Sequence, residues 1–457
     1  MSMERGEKTG KKRVRQVLAA LCLAGQLGLC LHLAGDMGPD GKFLKETAAP
    51  VVPVSQTQSV FAELKLYSQS AVLMDGSNGR ILYGKNERLS RPMASTTKIM
   101  TCILALEAGN TDAWFEASQK AASQPQVHMG VKAGESYLLK DLLYALMLES
   151  YNDAAVMIAE GIAGSVEEFA VRMNEKAHQI GCRDTWFITP NGLDGREKDR
   201  EGKEKIHSTT AADLALILRY CVTQSPKREE FLAITGAGDH YFTDQSGKRS
   251  FSCRNHNALL TMMDGALTGK TGFTGGAGYC YTGALKKEER LYIIALLGCG
   301  WPPHKTYKWS DARTLFNYGI QEYELTDIFM REPDQTVRTE NGICWGENKE
   351  GIVKAVMAEK EQDSRLVVLL SKEEQENVKR RVFLPDCLTA PVKKGDLIGR
   401  VEYTLGDEKL GEYGLFADRD ILPLTLPAAW AHLLGFFSFF KLFLRFIWGC
   451  VNFLCGS

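Results

Sequence analysis

The stretch that most constrains the fold of this chain is a long helical pattern from about Tyr137 to Ile162, in which Leu138, Leu139, Leu142, Leu143, Leu146 and Met147 recur. At that spacing they form one apolar helix face. Ser150-Tyr151-Asn152-Asp153 interrupts the pattern. Polar side chains inside an apolar helix compete with the backbone for hydrogen bonds, so the interruption marks either a solvated face between two helices or a site.

A second helix is announced by Arg91-Pro92-Met93-Ala94-Ser95-Thr96-Thr97-Lys98, because Ile99, Met100, Ile103, Leu104 and Leu106 follow at helical spacing. Ser95 and Lys98, three apart in the first turn, then share a face. A hydroxyl is a poor nucleophile at neutral pH, and a lysine amine kept neutral by burial or by a second cation can serve as its base. The helix N-terminus adds unpaired N–H groups suited to an oxyanion. Taken alone, the motif equally describes an ordinary amphipathic helix that begins with serine.

The third stretch is Gly265-Ala266-Leu267-Thr268-Gly269-Lys270-Thr271-Gly272-Phe273, followed by the strand-like Leu291 to Leu297. A phosphate loop needs four residues between its first glycine and Gly-Lys-Thr, and here three separate Gly265 from Gly269. On an edge strand, by contrast, Lys270 and Thr271 can hold a substrate carboxylate, while Gly272 admits substrate close to the backbone.

In that order, Ser95-x-x-Lys98, Ser150-x-Asn152 and Lys270-Thr271-Gly272 resemble the motif set of penicillin-binding proteins and class A β-lactamases. The longer strings Pro92 to Lys98, Ser150 to Ala155, Thr189-Pro190-Asn191-Gly192-Leu193 and Lys270 to Gly278 are similar to the serine D-alanyl-D-alanine carboxypeptidases of low molecular mass. That resemblance implies an α/β (α+β) β-lactamase/penicillin-binding-protein-like catalytic domain, an antiparallel sheet flanked by helices, over residues 69–322. It implies Ser95 as nucleophile, Lys98 as base, and Ser150 bridging Lys98 and Lys270 as proton carrier to the leaving group. Asn152, Lys270, Thr271 and Gly272 would bind substrate, and the N–H groups of Ser95 and Phe273 would form the oxyanion hole. The implied substrate is a peptidoglycan stem peptide, β-lactam antibiotics are the implied inhibitors, and neither metal nor cofactor is required. Tyr151 departs from the glycine common in close relatives. A β-lactamase would need a loop glutamate absent from Phe187 to Asp194. An endopeptidase, a transpeptidase or a non-catalytic penicillin sensor would share the three motifs.

Residues 325–422 carry short strand candidates at Leu366 to Leu370, Val378 to Leu384, Gly399 to Leu405 and Leu410 to Phe416, a pattern for a small all-β domain without a catalytic constellation. The run Ala390 to Gly399 resembles the C-terminal domain of the same family. Earlier, Ala71 to Met74 and Arg80 to Tyr83 flank a turn-forming Asp-Gly-Ser-Asn-Gly and predict a hairpin. Helices are expected at Val166 to Ile180 and, behind Ser208, at Thr209 to Cys221, with a solvated loop at Arg196 to Lys205. His207 and His256 read as structural, since no nucleophile, base and orienter can be assembled around them.

Composition supplies the remaining bounds. A net charge of −1 over 457 residues gives no support for nucleic-acid binding. The twelve cysteines are scattered and show no C-x-x-C pair, so neither a zinc site nor a dense disulfide framework is indicated. Lys8, Lys11, Lys12, Arg13 and Arg15 before an apolar run from Val17 to Ala34 predict a signal peptide over residues 1–35, the alternative being an uncleaved membrane helix, with a linker at 36–68. In the aromatic-rich residues 424–457, Ser438, Lys441, Arg445 and Asn452 fall within an arc of roughly 60° at 100° per residue. The expectation is an amphipathic helix anchored in the plane of the membrane rather than spanning it, on an exported protein at the outer face of the cytoplasmic membrane.

Overall fold

The computed structural model describes residues 64–199, 202–343, 351–358 and 365–423. The stretches read as signal peptide (1–35) and C-terminal anchor (424–457), and nearly all of the linker (36–68), lie outside the described residues. The expected hairpin consists of β1 (Ser70–Asp75) and β2 (Ile81–Lys85), paired antiparallel. Its turn is closed by side chains, with Asp75 Oδ1 accepting from the Ser77 N–H at 2.8 Å and Asn78 Oδ1 from the Arg80 N–H at 2.8 Å.

Among the helices that follow, four build the large core: α1 (Lys98–Ala108), α2 (Asn152–Ala163), α3 (Val166–Ile180) and α4 (Ala211–Arg219). Next come β3 (Ala266–Thr274), β4 (Gly278–Lys287), β5 (Arg290–Leu297) and α5 (Tyr307–Glu322). The five strands form one antiparallel sheet in the order β2-β1-β5-β4-β3, which leaves β3 on a free edge. Alternation along the strands sorts the core into two layers. Val72, Met74, Ile293, Ala295 and Leu297 enter the large cluster built with α1 to α4. Ala71, Leu73, Tyr292, Ile294 and Leu296 face the other way, onto Ala312, Leu315 and Phe316 of α5.

Three expectations are corrected. The helix predicted from Tyr137 begins only at Leu139, because Ser136–Leu138 is a strand paired with Trp114–Glu116. The buried Tyr137 ring packs edge-on to Phe251 and Phe242, a tertiary demand that overrides the helical spacing. The helix also widens into a π-helical segment at Ala145–Glu149 and ends at Ser150, whose φ of 65° is left-handed. The loop expected at Arg196 to Lys205 contains a short exposed hairpin, Arg196–Lys198 with Glu204–Ile206, joined by an Arg196–Glu204 ion pair of 3.1 Å. Finally, α4 starts two residues later than expected and is capped by Thr210, whose hydroxyl accepts from the Asp213 N–H at 3.0 Å. Ser208 and Thr209 are engaged instead in β-bridges to Trp186 and Arg91.

Beyond α5 the described residues are mostly strands, with one short helix at Lys372–Asn377 whose N-terminus is capped by Ser371. β6 (Glu324–Asp327), β7 (Gln335–Glu340), β8 (Ile352–Met357), β9 (Val367–Leu370), β10 (Val378–Phe383), β11 (Cys387–Thr389), β12 (Leu397–Leu405) and β13 (Glu408–Ala417) follow. Six make a sheet ordered β10-β12-β13-β8-β7-β11 around Val353, Val401, Tyr403 and Leu415, while β6 pairs with β9. The buried Arg80 guanidinium of the first hairpin reaches this part of the chain. It donates to the Leu369 carbonyl at 2.6 Å and pairs with Glu408 at 3.1 Å and with Glu374. Among the described residues seven cysteines are free, six of them buried.

Candidate active site

Ser95 lies in a 3-10 turn, Ala94–Thr97, that runs directly into α1. Ala94 takes a left-handed φ of 48°, and the turn is held by the Thr96 hydroxyl on the Met93 carbonyl (2.7 Å) and the Thr97 hydroxyl on the Ala94 carbonyl (2.9 Å). Side chains three apart nearly eclipse in a 3-10 turn, which sets Lys98 Nζ 2.9 Å from Ser95 Oγ. Lys98 is fully buried.

Its two other partners are the Asn152 side-chain oxygen at 2.9 Å and the Asn191 carbonyl at 2.6 Å. Both are acceptors only, whereas the Ser95 hydroxyl can also donate. A neutral amine has two N–H groups and one lone pair, so this set satisfies it completely when Ser95 gives its proton to the lone pair. Burial, reinforced by the charge of Lys270, pushes Lys98 well below the usual lysine range, with Asp153 pulling the other way. Burial holds the 3 % exposed Lys270 at about 7.

Asn191 is a site residue that the spacing of motifs did not reveal, since it acts through its backbone. The turn after it depends on Gly192 with φ +85°, where a methyl group would sit 2.9 Å from Thr97 Oγ1. Asp153 was likewise missed. Its buried carboxylate accepts from the N–H groups of Met129 (3.0 Å), Gly130 (2.8 Å) and Val131 (3.3 Å) and so fixes the loop beside α2. That loop presents the Pro125 carbonyl to Asn152 Nδ2 at 3.0 Å and the Val127 carbonyl to the Asn152 N–H at 2.8 Å.

The Ser150 hydroxyl, expected to bridge the two lysines, is buried and makes no hydrogen bond among the described residues. Lys270 Nζ donates instead to the Thr271 carbonyl at 3.0 Å. Gly272 makes room for protein, because a methyl group there would lie 2.8 Å from the Ser95 nitrogen and 3.0 Å from Ala94 Cβ. The edge strand therefore presses on the serine turn itself.

Phe273 pairs in register with Tyr279, whose N–H donates to the Gly300 carbonyl at 2.9 Å and whose carbonyl accepts from Cys299 at 2.7 Å. Both Tyr279 groups thus point away from β3. Phe273 occupies a non-hydrogen-bonded pair, so its own N–H turns outward from the free edge, on the strand that adjoins the Ser95 turn.

The family model described as D-alanyl-D-alanine carboxypeptidase matches residues 55–299, and that of the penicillin-binding protein 5 C-terminal domain matches residues 348–422. The chain is 29% identical over 381 residues to D-alanyl-D-alanine carboxypeptidase DacF of Bacillus subtilis, covering 82% of this chain and 91% of the relative. To DacB2 of Mycobacterium tuberculosis it is 31% identical over 254 residues, covering 55% and 82%. The solved DacD carboxypeptidase of Francisella tularensis superposes with TM-score 0.59 at 25% identity, covering 79% of this chain and 95% of that one. Penicillin-binding protein 5 of Haemophilus influenzae shares the fold, with TM-score 0.60 at 24% identity over 79% and 99% of the two chains.

Proposed function

The chain belongs to the D-alanyl-D-alanine carboxypeptidase family, and on that premise we propose that it removes the terminal D-Ala from peptidoglycan stem pentapeptides through an acyl-enzyme on Ser95. The observation that carries this reading is the Lys98 amine, buried and bounded by two pure acceptors and the Ser95 hydroxyl. Ser95 Oγ attacks the carbonyl carbon of the penultimate D-Ala while its proton passes to Lys98. The oxyanion is held by the N–H groups of Ser95 and Phe273. When the C–N bond breaks, the proton travels from Lys98 through the Ser150 hydroxyl to the departing D-Ala nitrogen, a role supported by the unspent hydrogen-bonding capacity of that hydroxyl. Water then hydrolyses the ester, which releases the shortened peptide and restores the Ser95 hydroxyl.

Lys270 and Thr271 bind the terminal carboxylate from the edge strand, and the second N–H of the Asn152 amide holds a substrate carbonyl. Residues 69–322 form the catalytic domain and residues 325–422 a spacer. The enzyme is exported and faces the cell wall, anchored in the plane of the cytoplasmic membrane by residues 424–457. Deleting those residues is expected to abolish binding to anionic vesicles, and retained binding would remove the anchor.

β-Lactams acylate Ser95 by the same route. The adduct is long-lived because the loop from Phe187 to Asp194, which reaches Lys98 through Asn191, contains no glutamate to activate water. The test incubates the protein with a pentapeptide and with penicillin and follows both by mass spectrometry. Release of D-Ala and a stable adduct on Ser95, absent from Ser95→Ala, are expected. A label on another serine would overturn the assignment, and fast release of hydrolysed penicillin would make the protein a β-lactamase.

A further inference from the structure

His207 lies outside the three motifs, yet it touches both segments that converge on Lys98. The ring is 1 % exposed, sits edge-on to Phe187, and is reached by protein on both of its nitrogens. Nδ1 accepts from the backbone N–H groups of Ile188 (2.9 Å) and Thr189 (3.3 Å). Two donors aimed at one nitrogen fix its lone pair there, so the ring proton is on Nε2. Nε2 is 2.8 Å from Thr97 Oγ1, whose own hydrogen goes to the Ala94 carbonyl. The result is a directed chain: His207 Nε2–H donates to Thr97, and Thr97 donates to Ala94, the residue before Ser95.

We infer that His207 is a positioning residue for acylation, locked as the Nε2–H tautomer and tying residues 188–191 to the Ser95 turn, so that the Asn191 carbonyl and the Ser95 hydroxyl stay together on the Lys98 amine. An imidazolium would direct a proton at the two N–H groups that Nδ1 now accepts from. Together with burial and the nearby charge of Lys98, this agrees with a His207 pKa lowered to about 3, so the tie persists across the physiological range. The inference rests on the acyl-enzyme reading above.

The test uses the full chain in detergent and the variants His207→Asn, Thr97→Val and their double. His207→Asn keeps an acceptor near Nδ1 and offers nothing at Nε2, while Thr97→Val removes the hydroxyl that Nε2 meets. Each single change should lower the first-order acylation constant for penicillin by about tenfold, the size of one lost buried hydrogen bond. The dissociation constant of the non-covalent complex should stay within about twofold, since neither group meets ligand. The double variant should be no slower than the slower single one, because both cut one tie. Acylation by Thr97→Val at the wild-type rate would overturn the inference, as would losses in the dissociation constant or losses that multiply in the double. Should His207→Asn fail to fold, Thr97→Val alone decides. Absence of a wild-type adduct is a different outcome and overturns the acyl-enzyme reading together with this one.

Discussion

At the scale of single residues, the proposed chemistry turns on two buried lysines, both of which burial lowers from the usual lysine range. Removing the Lys270 charge removes a cause that lowers Lys98, so Lys98 loses its proton at higher pH. In Lys270→Met, whatever the fall in rate, the acid limb of the pH profile for penicillin acylation should therefore move to higher pH. A limb that stays in place or moves down would show that the charge is unfelt. The stability effect has its own sign. Folded Lys270 titrates near 7, below its ordinary value of 10.5, so within that window the unfolded chain binds a proton that the folded one lacks. Wild-type stability should therefore rise with pH from 7 to about 10. Lys270→Met loses that slope. It should be more stable than wild type by on the order of a few kcal/mol below pH 7, and the gap should close towards pH 10. A gap in melting temperature that widens with pH would contradict this.

Among elements, the contact that matters most is between the edge strand β3 and the 3-10 turn carrying Ser95. Gly272 lets the two backbones approach, since its methyl would meet the Ser95 nitrogen at 2.8 Å and the Thr96 nitrogen at 3.1 Å. Those atoms are backbone and cannot swing aside as a flexible side chain would. Gly272→Ala should therefore fold, with the strand and the turn parted by a fraction of an ångström, and acylation should fall by about ten- to a hundredfold. Wild-type acylation with an unchanged melting temperature would show the contact to be looser than the backbone indicates. The same pair of elements explains why β3 is left unpaired on one side. In the proposed mechanism its outward N–H groups meet the oxyanion, a role that pairing with a further strand would consume.

For the whole molecule, Arg80 links the first hairpin to the C-terminal strands. Its guanidinium meets the Leu369 carbonyl, Glu374 and Glu408 while only 5 % of its side chain is exposed. Arg80→Ala takes the cation away from the Leu369 carbonyl and from Glu374, whose carboxylate keeps only the Ser371 N–H, which should cost about 1–3 kcal/mol. Limited proteolysis near residues 323–330 should quicken while penicillin acylation holds at the wild-type rate. Unaltered proteolysis would mean that apolar contacts alone hold the two parts together.

Much of this protein was determined by local sequence. The spacing of Ser95 and Lys98, the hairpin around Asp75, the helix from Val166 to Ile180 and the apolar strand from Leu291 to Leu297 depend on backbone geometry over a few residues, which side-chain pattern encodes directly. Tertiary structure decided the rest. Tyr137 lies in a strand because its ring is buried against residues more than a hundred positions later, a demand that periodicity cannot carry. Asn191 joined the site through a carbonyl oxygen, which every residue possesses, so the string around it marked the segment and not the contact with Lys98. His207 remained a structural histidine to the sequence because its partners are backbone N–H groups and a threonine 110 residues away. Whether Lys98 can act as a base depends on burial and on a second lysine from the far edge strand, and only the folded chain brings those together.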